Sequence, residues 1–436
     1  WKRRELPSSQ FGGHLTSFHG SHTEFHPVDP GSGPDDLHVL KAHREQGNIL
    51  RQLGKYAEVH ELNRTTYEKM RRVGMPDDEL LLMVNNMGGD LRARGDLAAA
   101  LAHDEDSVRR HVAAFGQDDP RTCQAKNNLA LDYCLTSRFD QARELHEAAY
   151  IGLRDAQAAA ATTLLTWNAL ARSVRLSGHY AEACDLGEEA LEYGLEYLGA
   201  EHPAYLLTAK DLSIAWRRLG ELGKALEMCT DVRGRYVRRY GLDHPDTLAA
   251  AMSLANVQRN NGQEEEGLKL AADTVTRYPR IYGDDHPYTL ACTGNLALLY
   301  RTCQEPAQAL DLNEKILEKL EQRLGRNHHY YLTVATNLAS DLAKLGRYEE
   351  AVERGRDTYT RLAELVGANH PMALACAANL SADLNHLGTS DAMEEAEGLR
   401  RDLRSRYAQE LNLEHPDAVA FLEERHLDLD FDPPPI

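Results

Sequence analysis

The sequence predicts an all-α fold, a right-handed α-solenoid superhelix of about nine helix–turn–helix repeats. Two recurring patterns and their spacing support this prediction. The first pattern is a short turn, as in SGHYAEA at 177–183 and LGRYEEA at 345–351. The second is a Gly-x-x-His-Pro connector, as in GLDHP at 241–245 and GDDHP at 283–287. The turn position recurs in steps of 41 or 42 residues, at 54, 95, 137, 178, 220, 262, 304, 346 and 388. A fixed period of this length is typical of a repeat architecture.

The residues around each turn position form columns that fit helix packing. The residue seven before the turn is Gly, Ala or Ser in all nine units, and the residue eight before it is Leu or Met in eight of them. Small residues of this kind allow two helices to cross closely. Gly in the connector ends one helix in a left-handed turn, and Pro fits the first turn of the next. Each unit is therefore predicted to contain helix A, a glycine turn, helix B and a connector.

The pattern Asn-Asn-Leu-Ala, Gly-x-Tyr, Ala-Leu and Tyr-Gly-x-x-His-Pro resembles the 42-residue tetratricopeptide repeats of the kinesin light chain family. The resemblance covers residues 36 to about 425. It implies a superhelix whose concave face binds a protein or peptide. Bacterial proteins with such repeats include sensor domains of signal-transduction NTPases. The ending DFDPPPI and the Arg-rich composition resemble the actinobacterial group named FxSxx-COOH system tetratricopeptide repeat proteins.

Bulk composition excludes several classes of function. The formal net charge is −19, which disfavours a nucleic-acid or membrane-surface binder. The sequence holds no apolar run of about 18 residues, the length that a membrane span needs. The 7 scattered cysteines predict neither a disulfide framework nor a zinc site, so we expect a reducing cytoplasm. No phosphate loop, metal motif or nucleophile–base pair is present. We therefore expect no cofactor and no enzyme activity; any NTPase domain would lie upstream of Trp1.

Composition divides the chain into three parts. Residues 1–35 form a Gly/His/Pro-rich linker or docking segment, residues 36–426 the repeat solenoid, and residues 427–436 an acidic, Pro-rich C-terminal tail, LDLDFDPPPI. His14, His19, His22 and His26 have spacings that fit no metal motif. The prolines of the tail enforce an extended backbone. The tail is therefore expected to be either disordered or an extended docking peptide.

The connector histidines recur at 202, 244, 286, 328, 370 and 415. Regular spacing along a solenoid places them in separate turns, so they cannot share one metal ion. We interpret them as turn residues.

Helix A is expected to line the concave face with a basic, amide-rich stripe. Arg occupies the position three before the turn in six of nine repeats. Arg suits carboxylates, and Asn can hold a peptide backbone through both its donor and its acceptor. The candidate peptide-binding groove comprises Arg44, Asn48, Arg51, Asn85, Arg92, Asn127, Arg172, Arg175, Lys210, Arg217, Asn256, Arg259 and Arg301. The alternative is structural: each Arg pairs with an acidic residue of its neighbour or with the helix dipole.

A second Asn column lies nine before the turn, at Asn86, Asn128, Asn295, Asn337 and Asn379. These residues adjoin the core Leu column. We expect them mostly to bond neighbouring backbone, which is a structural role.

Two functions remain. The first is a protein- or peptide-binding scaffold or sensor, whose groove holds a segment with acidic residues or a free C-terminus. The second is a regulatory repeat domain that binds its own tail, or that of a neighbour, and so causes autoinhibition or self-association. The chemistry of the acidic, extended tail suits the second function, and the resemblance to the kinesin light chain family agrees with it, because that family has an acidic segment that occupies its own groove.

Overall fold

The computed structural model describes residue 33 and residues 36–432. The predicted linker 1–35, apart from residue 33, and residues 433–436 of the tail therefore lie outside the described residues. The described residues form nineteen helices and no strand, which confirms the predicted all-α solenoid. They make nine A–B helix pairs and the first helix of a tenth unit.

The odd-numbered helices are the A helices of the repeats. Their bounds are α1 Leu37–Gln52, α3 Asp77–Ala93, α5 Pro120–Leu135, α7 Ala160–Leu176, α9 Pro203–Leu219, α11 Pro245–Asn260, α13 Pro287–Thr302, α15 His329–Lys344, α17 Pro371–Leu387 and α19 Pro416–Leu422. They are the inner layer, and α15 is buried at every position from His329 to Ala343.

The even-numbered helices are the B helices and form the outer layer. Their bounds are α2 Tyr56–Arg72, α4 Leu97–Phe115, α6 Phe139–Asp155, α8 Tyr180–Tyr197, α10 Leu222–Tyr240, α12 Glu264–Tyr282, α14 Pro306–Leu324, α16 Tyr348–Val366 and α18 Ser390–Glu410. After α19 the chain runs without helix or strand through residues 425–432.

The connector histidines cap the A helices. In six connectors the imidazole Nδ1 accepts a hydrogen bond from the backbone N–H two residues later, at 3.0–3.2 Å. This contact satisfies one of the N–H groups that a helix start leaves without a partner. The histidines are therefore N-caps within their turns.

Five of these histidines also join successive turns of the superhelix. The Nε2 atom lies 2.7–3.1 Å from a carbonyl oxygen near the end of an A helix, and the two residues are 192–197 positions apart. The partners are His244 and Gln52, His286 and Arg92, His328 and Leu135, His370 and Leu176, and His415 and Arg218. We call this line of contacts the seam. It closes the groove along one side, because connectors 6–10 rest on turns 1–5.

At Gly54 and Gly220 the absence of a side chain suits the seam as well as the backbone. Gly54 has a φ of 72° and Gly220 a φ of 96°, which favours a residue without Cβ. A Cβ at Gly54 would also lie 2.6 Å from Pro245, and one at Gly220 would lie 2.8 Å from Pro416. The connector proline and the turn glycine thus fit together across the seam.

One seam contact replaces the Gly–Pro pair by Ser137 and His329. The Ser137 Oγ lies 2.6 Å from Nδ1 of His329 and accepts a hydrogen bond from its backbone N–H at 3.1 Å. These two departures from the repeat pattern, 192 positions apart in the chain, therefore complement each other.

The Ser137–His329 contact predicts a compensating pair of mutations. His329→Pro alone should lower the free energy of unfolding by about 2–3 kcal/mol, because the ring meets the Ser137 side chain and a hydrogen bond is lost. His329→Pro with Ser137→Gly should recover most of this loss, since it recreates the Gly–Pro contact. Urea titrations of the three variants and the original chain measure this; equal losses in the single and double variants would contradict the prediction.

The seam histidines also predict a pH dependence. Burial lowers the pKa of His286, His328 and His370 to about 4. Their ordinary value is about 6.5, so the unfolded chain binds more protons between these values. The stability that they contribute is complete above about pH 6.5 and is lost as the pH falls toward 4. Urea titrations from pH 7 to 5 should show this fall, and His328→Asn, which can cap but does not titrate, should reduce it. An unchanged slope would contradict the role of His328.

Candidate functional site

The channel inside the superhelix holds the chain's own tail, described here over residues 427–432. Asn379, Asn337 and Asn295, which we call the asparagine ladder, each bond the backbone of one tail residue twice. The side-chain amides donate to the carbonyl oxygens of Leu427, Leu429 and Phe431 at 2.9, 2.7 and 2.8 Å. The same residues' N–H groups donate back to the Asn oxygens at 2.7, 3.1 and 2.8 Å. An amide side chain can satisfy both backbone groups in this way.

The expected structural role of the second Asn column is wrong for these three residues. Their side chains bond the backbone of the tail, and that of Asn379 also donates to the Ser340 hydroxyl of α15 at 3.2 Å. The first two members of the column behave differently: Asn86 donates to the Asn48 side chain at 3.0 Å, and Asn128 donates to that of Asn85 at 3.0 Å. A sequence column alone does not show which of its members face an extended segment.

The tail's aspartates alternate with its apolar residues and meet the arginine column. Arg259 binds Asp428 at 2.6 Å and Asp430 at 2.8 Å. Arg217 binds Asp430 at 2.6 Å and Asp432 at 2.9 Å. Each guanidinium therefore bridges two carboxylates, which is the geometry that a planar fork of donors favours.

Further arginines complete the contacts with the tail. Arg301 binds Asp428 at 2.5 Å, and Arg175 lies 3.6 Å from Asp432. Arg218 binds Asp430, and it also binds Asp432 at 3.1 Å. Arg218 was not among the predicted residues. It is the only Arg in the column two before the turn, so no repeated signal marks it.

These charges are removed from water. The side chain of Arg217 is 2% exposed and that of Asp430 is 1% exposed. Burial alone would raise the pKa of Asp430, but Arg217, Arg218 and Arg259 together hold it below its usual value. Burial lowers the pKa of Arg175, and the more distant Asp432 does not fully offset this. The buried carboxylates and guanidinium groups here thus compensate each other for their lost hydration.

A second column supplies counter-charges to several members of the arginine column from within the solenoid. Four repeats carry Asp five residues before the turn, and in three of them this Asp pairs with the Arg of the preceding repeat. Asp90 pairs with Arg51 in this way. Asp132 pairs with Arg92 at 2.9 Å, and Asp341 pairs with Arg301 at 2.6 Å. In these pairs the arginines therefore have the structural role that was the alternative to peptide binding.

Three arginines have no such Asp in the next repeat, and we call them the orphan arginines: Arg175, Arg217 and Arg259. The corresponding positions hold Ala215, Val257 and Leu299. The tail carboxylates contact all three orphan arginines. The missing Asp is a signal that the sequence contains, but it is visible only when two columns are compared across neighbouring repeats.

The other predicted groove residues mostly bond within the solenoid. Arg44 binds Glu79 at 2.6 Å. Arg172 and Lys210 both bind Asp211, at 2.5 and 2.7 Å. Asn127 is partly buried.

Asn256 does contact the tail. Its side chain donates to the carbonyl oxygen of Phe431 at 3.3 Å, beside the shorter bond from Asn295. The structure thus brings Arg175, Arg217, Asn256, Arg259 and Arg301 to residues 427–432 of the tail, and no predicted residue of repeats 1–3 contacts this described part of it.

Other chemistry is not indicated by the described residues. They contain no group of three or more His, Cys, Asp or Glu side chains that could hold a metal ion. None of the helices in 36–432 combines the length and apolar character that crossing a bilayer requires.

The family comparison identifies the repeat. The family model described as tetratricopeptide repeat matches residues 78–152, 162–236, 246–322 and 295–364, which is more than half of the chain. Repeats of this class typically form non-catalytic protein-binding scaffolds. A search of curated proteins gives no significant match.

Several solved structures are similar. A Rap protein complexed with competence and sporulation factor is 12% identical, with a TM-score of 0.54 over 79% of this chain and 96% of that one. The quorum sensor NprR of B. thuringiensis, in its apo form, is 13% identical, with a TM-score of 0.53 over 84% and 98%. Kinesin light chain TPR-like repeats of Podosopora anserina are 24% identical over 47% and 96%, with a TM-score of 0.37. The likenesses to the Rap protein and to NprR agree with the fold.

Because the orphan arginines are buried, we predict that removing the charge of one tail carboxylate lowers the stability of the chain strongly. Asp430→Asn should lower the free energy of unfolding by about 3–5 kcal/mol, because it leaves buried guanidinium groups without their counter-charge. The matched control is Asp311→Asn, which breaks an exposed pair with Lys315 and should cost less than about 0.5 kcal/mol. Urea titrations measure both; similar small losses would show that the tail is not docked.

Proposed function

The chain belongs to the tetratricopeptide repeat family, and on that premise we propose that it is a peptide-binding module whose groove holds an extended acidic segment. The observation that supports this proposal is the tail itself. Its backbone is held by the asparagine ladder and its carboxylates by the orphan arginines. Both sets of contacts use generic features of a peptide, so a partner segment of the same chemistry would fit the same groove.

The tail then acts as a built-in competitor for the groove. A segment tethered to the same chain has a high effective concentration, so a partner in solution must compete against it. Binding would be detected most easily when the tail is weakened. The Rap protein of similar fold, which is complexed with competence and sporulation factor, supports a binding role for such a superhelix.

A second proposal starts from the observation that the tail lies in the groove of its own chain. The module would be the regulatory repeat domain of a larger signal-transduction NTPase, with the catalytic domain outside these residues. Release of the tail would be the regulated step. If tails exchange between copies instead, the chain should form oligomers that dissociate when residues 427–436 are deleted. Light scattering distinguishes the two arrangements, because docking in cis gives a monomer.

The peptide-binding proposal is tested with a fluorescent peptide of sequence LDLDFD. A full chain with Asp428, Asp430 and Asp432 changed to Asn should bind the peptide more tightly than the original chain, because its own tail no longer competes. Affinity should fall as salt rises from 50 to 500 mM, since Arg–carboxylate attraction is screened. Fluorescence anisotropy measures both effects.

The control separates the groove from the outer surface. Arg217→Glu with Arg259→Glu, introduced into the tail-neutral chain, should abolish binding, whereas Arg356→Glu with Arg361→Glu on the exposed face of α16 should not. Circular dichroism verifies that each variant remains helical. Undiminished binding to a folded Arg217/Arg259 variant would refute the groove assignment.

A further inference from the structure

We propose that Gly294 fixes the register of a segment bound in the groove, by admitting an aromatic side chain at repeat 7 alone. This inference rests on the proposed peptide-binding function. It makes Gly294 a specificity-determining residue and defines the ligand more narrowly. The ligand is an extended segment with the order aliphatic–Asp–aliphatic–Asp–aromatic–Asp.

The asparagine ladder sets the stride and the direction of the segment. Its members are one repeat apart in the solenoid, and the residues they bond are two apart in the tail: Leu427 lies at repeat 9, Leu429 at repeat 8 and Phe431 at repeat 7. The tail therefore runs antiparallel to the order of the repeats. Two residues per repeat is the period of an extended chain, whose side chains alternate between two faces.

The ladder and the arginines alone leave the register undetermined. The ladder binds only backbone groups, which every residue other than proline offers. In the tail itself, a shift by two residues would bring either Arg425 or Pro433 to the ladder. In a partner segment that continues the alternation of apolar residues and aspartates further, however, such a shift would again place an apolar residue on each Asn and aspartates beside the arginines. A side-chain contact that differs between repeats must therefore select one register.

Gly294 provides that contact. A Cβ at Gly294 would lie 2.8 Å from Cε2 of Phe431, so the ring occupies the space that any side chain would fill. On its other side the ring meets Tyr330 edge to face, with centroids 5.0 Å apart. Phe431 is 4% exposed. An aromatic ring at this position gains a large buried contact that a smaller residue would not.

The equivalent positions in neighbouring repeats all carry a side chain. They lie ten residues before the turn and hold Met252, Thr336 and Ala378, and Gly294 is the only glycine in the column. Glycine is disfavoured inside a helix relative to alanine. Its presence in the middle of α13 is explained by the close approach of Phe431.

The test uses the full chain and measures hydrogen–deuterium exchange of residues 427–432 by mass spectrometry. Gly294→Ala should speed this exchange at least about tenfold, because the methyl group and the ring overlap. A tail with Leu429→Phe and Phe431→Leu has the same composition but the wrong register, and should show a similar increase. Gly294→Ala combined with Phe431→Leu should return exchange toward that of the original chain.

The matched control is Thr336→Ala, at the equivalent position of repeat 8, which should leave tail exchange unchanged. Gly294→Ala favours the helix, so loss of tail protection with α13 still protected reports on the tail and not on unfolding. If the tail of the original chain exchanges as fast as unstructured chain, the proposed function itself fails. If that tail is protected but neither Gly294→Ala nor the exchanged tail alters it, the register inference alone is overturned.

Discussion

A buried guanidinium group needs a carboxylate partner, and this requirement organises the groove. An unpaired buried charge is far more costly than a paired one. In repeats 1, 2 and 7 the next repeat supplies an Asp to the arginine. In repeats 4–6 it does not, and the orphan arginines are paired by Asp428, Asp430 and Asp432 of the tail. The solenoid is thus electrostatically complete only with an acidic segment inside it.

The seam increases the need for carboxylate partners, because it keeps water away from the arginines. Because the connector histidines join repeats about 192 positions apart, the superhelix closes on itself after one turn and its inner wall is shielded from water. With the tail in place, Arg259 is 6% exposed and Asn256 is fully buried. In an open superhelix water could solvate the same arginines, and the tail would contribute much less. The Gly–Pro contacts that close the superhelix therefore also strengthen the charge pairing inside the channel.

The sequence predicted the repeats, their helices and a basic, amide-rich stripe on the A helices. These features follow from local patterns that recur every 42 residues. It did not reveal that Asn295, Asn337 and Asn379 hold the tail, because Asn86 and Asn128 in the same column bond side chains instead. The closure of the seam was also missed, since it depends on a small rotation between repeats that accumulates over one superhelical turn. Ser137 and His329 are a sequence signal of that contact, but the signal is visible only when the two departures from the repeat pattern are compared with each other.

The most direct test of this account is the coupling free energy between an orphan arginine and the tail. In a double-mutant cycle, Arg259→Met and Asp430→Asn should couple by about 2–3 kcal/mol, because the two groups share a buried contact. The same cycle with Arg92→Met, whose partners are Asp104 and Asp132, should give a coupling below about 0.5 kcal/mol. A coupling near zero between Arg259 and Asp430 would contradict the claim that the tail completes the groove.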